Sequence, residues 1–162
     1  MTKKSLTPIT PELYEALGRI VVAWSAIEAI LAEFLSLLIP ADPVGMYVLN
    51  QTASIDQKMK WIRTLSALRL DPSILVSLEG LFGRIDEARS ERNDYVHGLW
   101  ATNGCSPGEA LVQTVNLNRA EIIRTQFTTR PDLDDLIQRL EEIRHDLAVV
   151  GQTLGFGPHL RK

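Results

Sequence analysis

Apolar residues recur at steps of three and four along most of the chain, which is the period of a helix with one buried face. Leu13, Leu17, Ile20, Val21, Trp24, Leu31, Leu35 and Leu38 mark a long first helix. Thr10 is placed as its N-cap, Pro11 and Glu12 open it, and Pro40 ends it. A loop through Asp42, Pro43 and Gly45 is expected next. Ser54 and Gln57 form a capping-box pattern ahead of Ile55, Met59, Ile62 and Leu65, the buried stripe of a second helix. Asp71-Pro72 opens a third, with Ile74, Leu78, Leu81, Phe82, Ile85 and Val96 on one side. Gly98 is expected to end it in a left-handed cap.

The period then changes. Two β-prone runs, Leu99 to Asn103 and Leu111 to Asn118, flank Gly104, Pro107 and Gly108 and read as a hairpin. Thr129, Pro131 and Asp132 signal a last helix, whose stripe is Leu133, Leu136, Leu140, Ile143, Leu147, Val150 and Leu154. The pattern predicts an all-α fold. It is an antiparallel helical bundle of about four to five helices, with a small β-hairpin inserted before the last long helix.

The 162 residues suit a single domain, with its core over 12–154 and a loose tail at 155–162. A hydrophobic share of 45% and a charged share of 23% exclude a wholly disordered chain. Cys105 is the one cysteine, so no intramolecular disulfide can form, which suits a reducing compartment. The run from Ile20 to Ile39 is long enough for a bilayer, but Glu28 and Glu33 interrupt it. The N-terminus has no apolar core of signal-peptide type. The expectation is a cytoplasmic protein with no membrane partner. Net charge is −3 and the pI about 5.6, which argues against nonspecific coating of nucleic acid. A local site for one phosphate remains open.

Two charges stand where apolar residues are expected. On a helical wheel Arg92 falls within the cluster of Leu78, Leu81, Ile85 and Val96, with Asn93 and His97 along its edge. Glu28 lies between Trp24 and Leu31 on the first stripe. A buried unpaired charge costs several kcal/mol, so Glu28 is expected to pair either with Arg92 or with Lys58 of the second helix. The plain reading of such a pair is structural, fixing the register of two helices. Breaks in a pattern also mark functional sites.

The segment Ser90-Glu91-Arg92-Asn93-Asp94-Tyr95-Val96-His97-Gly98 resembles the Arg-x4-6-His signature of HEPN domains, in which a polar residue commonly follows the arginine. Trp24 to Glu28, Asp56-Gln57-Lys58 and His97 to Trp100 also look like those of bacterial HEPN-like proteins. The resemblance covers roughly 12–154 as an order of elements. Arg139 and His145 have a similar spacing, but Leu140 stands where the family prefers a polar residue.

The resemblance implies an endoribonuclease that needs no metal or other cofactor and acts on RNA, not DNA. Arg92, Asn93 and His97 are its expected catalytic residues, with Glu28 and Lys58 supporting. RNA brings its own nucleophile, the 2′-hydroxyl, and a histidine can act as general base or acid. An arginine fork can hold the phosphate and stabilise charge in the transition state. Asn93 would orient His97 or the phosphate. One histidine cannot easily serve both ends of the reaction. HEPN domains usually dimerise with two motifs facing each other, so a homodimer is expected, in RNA processing, as a toxin or in phage defence. Members paired with a nucleotidyltransferase antitoxin often carry Tyr two residues after the histidine. Leu99 stands there, so that pairing is not expected, and any antitoxin or regulator would be of another kind. The alternative is a noncatalytic HEPN-like module that dimerises or binds a nucleotide or partner. Trp24, Trp61 and Trp100 read as core residues, and Tyr95 as packing or surface.

Overall fold

The computed structural model describes residues 9–39, 42–102, 105–106, 108–116 and 121–154. The expected helix stop at Pro40, the turn residues Gly104 and Pro107, the strand end at Asn118 and the tail 155–162 lie outside them. The described residues are mostly helical, with five helices and one small sheet among them. The order is α1 (Pro11–Leu38), α2 (Pro43–Thr52), α3 (Ile55–Arg69), α4 (Pro72–His97), β1 (Leu99–Ala101), β2 (Glu109–Asn116), β3 (Glu121–Thr129) and α5 (Arg130–Thr153). Two compact units divide it. One takes the chain up to Ala23 and then Glu87–Leu140, and the other takes Trp24–Asp86 and the chain from Glu141. Helices α1, α4 and α5 each contribute to both.

The first unit holds the sheet. Its strands lie in the order β1-β2-β3 and both pairings are antiparallel. Leu99 pairs with Gln113 and Ala101 with Leu111. Glu109 pairs with Thr129 and Thr114 with Arg124, and a register shift follows at Thr114/Val115. The sequence reading had two strands here; β3 is a third. It was missed because Ile122 and Ile123 are both exposed, at 53% and 64%, so no clean alternation shows. The bulge adds a residue there and breaks the period of two. Alternate β2 residues Ala110 and Val112 are buried, with Thr128 of β3 beside Ala110 in register. Leu13, Ala16, Ile20, Ala23, Ala88, Tyr95, Leu133, Leu136, Ile137 and Leu140 are buried helical residues of this unit.

At the start of α5 the Thr129 amide and hydroxyl both donate to Asp132 Oδ2 at 2.7 Å, so one carboxylate closes the first turn. Arg130 then ties its first turn to α1. Nη1 donates to the Glu12 carbonyl at 2.7 Å, while Nε holds Asp134 at 2.9 Å.

In the second unit Ile27, Leu31, Phe34, Leu35, Met59, Ile62, Leu78, Phe82, Ile85, Ile143 and Leu147 are buried. Burying a side chain of this size stabilises by about 1.5–3 kcal/mol before entropy is counted. The stripe of α1 departs from the expected one. Ala16, Ala23, Ile27 and Phe34 are on it, Leu17 is half-buried and Val21 is exposed. On α3, Lys58 and Ser66 are buried and Leu65 is half-buried.

The expected loop through Asp42, Pro43 and Gly45 is instead the start of α2. Asp42 is its N-cap and accepts the Val44 and Gly45 amides at 2.9 and 3.0 Å, and Pro43 takes the first helical position. These amides hold the Asp42 carboxyl below the usual carboxylate range. The helix was missed because it has no stripe; Met46 is buried while Val44, Tyr47 and Val48 are exposed. Ser54 caps α3, accepting the Gln57 amide at 3.3 Å.

Among the described residues, α1 is the one helix long and apolar enough to cross a membrane by length and composition. Its most apolar 18-residue window has a mean hydropathy of 1.9, and 39% of that window is buried within the protein.

Candidate functional site

The last two turns of α4 gather the motif. Leu78, Leu81, Phe82, Ile85, Ala88 and Tyr95 are buried at steps of three and four. Arg92 takes the step between Ala88 and Tyr95 and is half-buried there, with its Nε shut off from solvent. The shielded stem fixes where the guanidinium emerges. Its Nη1 donates to Asn93 Oδ1 at 2.9 Å and lies 3.2 Å from His97 Nε2. Asn93 and His97 are exposed. Arg92 thus contacts both of the other residues expected to form the site, through one nitrogen.

That contact sets the histidine's tautomer. Arginine has only donors, so the lone pair must be on His97 Nε2 and the proton on Nδ1. Nε2 then has the form a general base requires. Asn93 presents its carbonyl to Arg92, which turns its amide N–H groups away from the guanidinium.

The helix end is held from three sides within its unit. The indole of Trp100 donates to the Tyr95 carbonyl at 2.8 Å, so β1 satisfies one of the carbonyls left open at the helix C-terminus. The rings of these two residues lie 6.1 Å apart at a 41° tilt. Tyr95 is buried packing, and burial, then the charge of Glu91, push its phenol up. Asp94 grips the sheet. Its Oδ1 accepts the Thr114 hydroxyl at 2.9 Å and its Oδ2 the Arg124 guanidinium at 2.7 Å. Arg139 of α5 pairs with Glu91.

Gly98 does not form the expected left-handed cap, since Gly108, at φ 84°, is the described glycine with a positive φ. The reason for glycine here is space. A Cβ would stand inside contact distance of the Asp94 carbonyl oxygen and 2.6 Å from Val112 Cγ1. Glycine lets the end of α4 sit directly on β2.

The supporting residues stand elsewhere on their helices. Glu28 is half-buried and beside the stripe rather than on it, because Ile27 takes the buried step. Its Oε1 accepts the Trp24 indole N–H at 3.0 Å, a neutral donor one turn back on the same helix. Lys58 is 8% exposed on α3. His145 is exposed on α5.

Sequence reasoning missed Thr114 and Arg124, which belong to a strand pairing it did not contain, and Asp94, whose partners they are. The one available signal was a third polar residue inside the motif. Among the described residues, no group of three or more His, Cys, Asp or Glu is placed to hold a metal ion. No protein-family model, curated protein or solved structure matches this chain.

Proposed function

We propose that this protein is a metal-independent endoribonuclease of HEPN type. It acts in the cytoplasm as a homodimer whose two Arg92–Asn93–His97 clusters face one cleft. Its helices form the antiparallel bundle of that family, with the sheet at its side. The observation that carries the reading is the shared nitrogen: Arg92 Nη1 on Asn93 Oδ1 and near His97 Nε2. A purely structural arginine on a buried stripe has no need to turn its head outward onto an exposed histidine.

The chemistry follows from the groups. An RNA phosphate draws the Arg92 fork away from His97, because two charged hydrogen bonds outweigh one to a neutral ring. His97 Nε2 is then free to take the proton of the 2′-hydroxyl. The 2′-oxygen attacks phosphorus, and the bond to the 5′-oxygen breaks. Arg92 stabilises the charge that builds on the phosphoryl oxygens. The partner subunit's His97, present as the imidazolium, gives its proton to the leaving 5′-oxygen. The products are a 2′,3′-cyclic phosphate and a 5′-hydroxyl. DNA has no 2′-hydroxyl and is left intact.

The net charge of −3 favours a second reading, a noncatalytic module of the same kind that dimerises or binds a nucleotide or partner. Incubation of the purified protein with single-stranded RNA in EDTA separates the two. Cleavage that is lost in His97→Ala supports the nuclease, and intact RNA across a broad panel supports the module.

A further inference from the structure

The Asp94 clamp does more than pin a helix to a sheet. Thr114 and Arg124 are cross-strand partners on β2 and β3, and one carboxylate grips both. The Asp94 side chain is 14% exposed, whereas that of Arg124 is 57% exposed. The carboxylate is therefore enclosed and the guanidinium is presented to solvent. Asp94 precedes His97 by three residues, so the two are neighbours on the helix surface. Arg92 approaches His97 from the other flank, through Asn93. On the wheel His97 lies between Asn93 and Asp94, with one arginine tethered beyond each. Of the five N–H donors of Arg124, the contact with Asp94 uses Nη1, and a guanidinium fork recognises phosphate in a fixed plane.

We propose that Arg124, oriented by Asp94, is a second phosphate-contacting residue of this site and binds the phosphate beside the one that is cut. The proposal rests on the nuclease reading and names its substrate class. The enzyme acts on RNA strands with at least one phosphate flanking the scissile one, and handles a dinucleoside monophosphate poorly. Asp94 is a positioning residue. It holds the guanidinium without touching the RNA.

The test uses Arg124→Gln and Asp94→Asn on the full chain, with Arg124→Lys as the conservative variant. Cleavage is compared on an oligoribonucleotide and on a dinucleoside monophosphate. The expected result is a loss of about tenfold or more in kcat/KM on the oligonucleotide, the scale of one charged hydrogen bond. It appears in KM, is partly restored by lysine, and is much smaller on the dinucleoside. Equal losses on both substrates mean a structural role and overturn the proposal. Binding of a noncleavable 2′-deoxy oligonucleotide, followed by fluorescence anisotropy, reads the contact without cleavage. Arg124→Gln should weaken it about tenfold and lower the slope of log affinity against log salt by about one. Equal binding by wild type and variant overturns the contact. Wild type that binds with this difference but cuts nothing retains the contact and defeats the nuclease reading instead.

Discussion

Arg92 Nη1 lies 3.2 Å from His97 Nε2, five residues further along the same helix. An all-donor guanidinium can make that contact only to a lone pair, so His97 carries its proton on Nδ1. Nitrogen-15 NMR of the imidazole at neutral pH should show the Nδ1–H tautomer in the wild type. Arg92→Ala should release that preference. An Nε2–H ring in the wild type would show that the contact is not a hydrogen bond.

Gly98 should tolerate no side chain. A Cβ there meets the Asp94 carbonyl and Val112 Cγ1, so Gly98→Ala must push the helix end off the sheet. The expected cost is roughly 1–3 kcal/mol, as for other overpacked sites. Gly83, inside α4 with open space around it, should behave in the opposite way. Gly83→Ala should stabilise by about 0.5–1 kcal/mol, because alanine loses less backbone freedom in a helix. Denaturant melts of the two variants check both signs. Equal effects would mean that neither site is as described.

The two glycines also show what the sequence could convey. Gly98 was legible as the end of α4, but its reason was not. A left-handed turn is a local property of the chain, whereas the approach of Val112 comes from a strand fourteen residues later. Helix α3 was readable because Ser54 and its apolar steps are local. Helix α2 was not, since its Asp42-Pro43 start has no stripe behind it. Strand β3 hid because its bulge puts Ile122 and Ile123 side by side in the open. In the site, Arg92, Asn93 and His97 stood out as a break in an apolar stripe. Asp94 did not, because its role depends on Thr114 and Arg124 across the sheet.

Glu28 should matter less than a buried ion would. It is half-buried and accepts a neutral indole N–H from Trp24. Glu28→Gln keeps an acceptor for that bond and should cost well under 1 kcal/mol, while Glu28→Ala should cost about 1 kcal/mol. A loss of roughly 3–5 kcal/mol would instead mark a stranded charge partner, as in a broken buried salt bridge. Thermal melts of both variants decide between these.

Tyr95 sets an alkaline limit. Burial first, then the charge of Glu91, raise its phenol above the ordinary value. The folded state therefore holds this proton more tightly than the unfolded one. Its contribution to stability is complete below about pH 10, the unfolded value, and is lost as pH rises through the higher folded value. Tyr95→Phe should lose this part of the pH dependence. A wild-type stability curve with the same alkaline slope as the variant would contradict it.

The most direct measurement is cleavage of single-stranded RNA by the purified protein in excess EDTA, with the new ends analysed. A metal-independent HEPN-type nuclease leaves 2′,3′-cyclic phosphate and 5′-hydroxyl ends, does not cleave DNA, and loses activity in a well-folded His97→Ala protein. Arg92→Lys should also be strongly impaired, since a lysine keeps the charge but not the fork. Cleavage that requires an added metal ion, or that persists in His97→Ala, would contradict this reading.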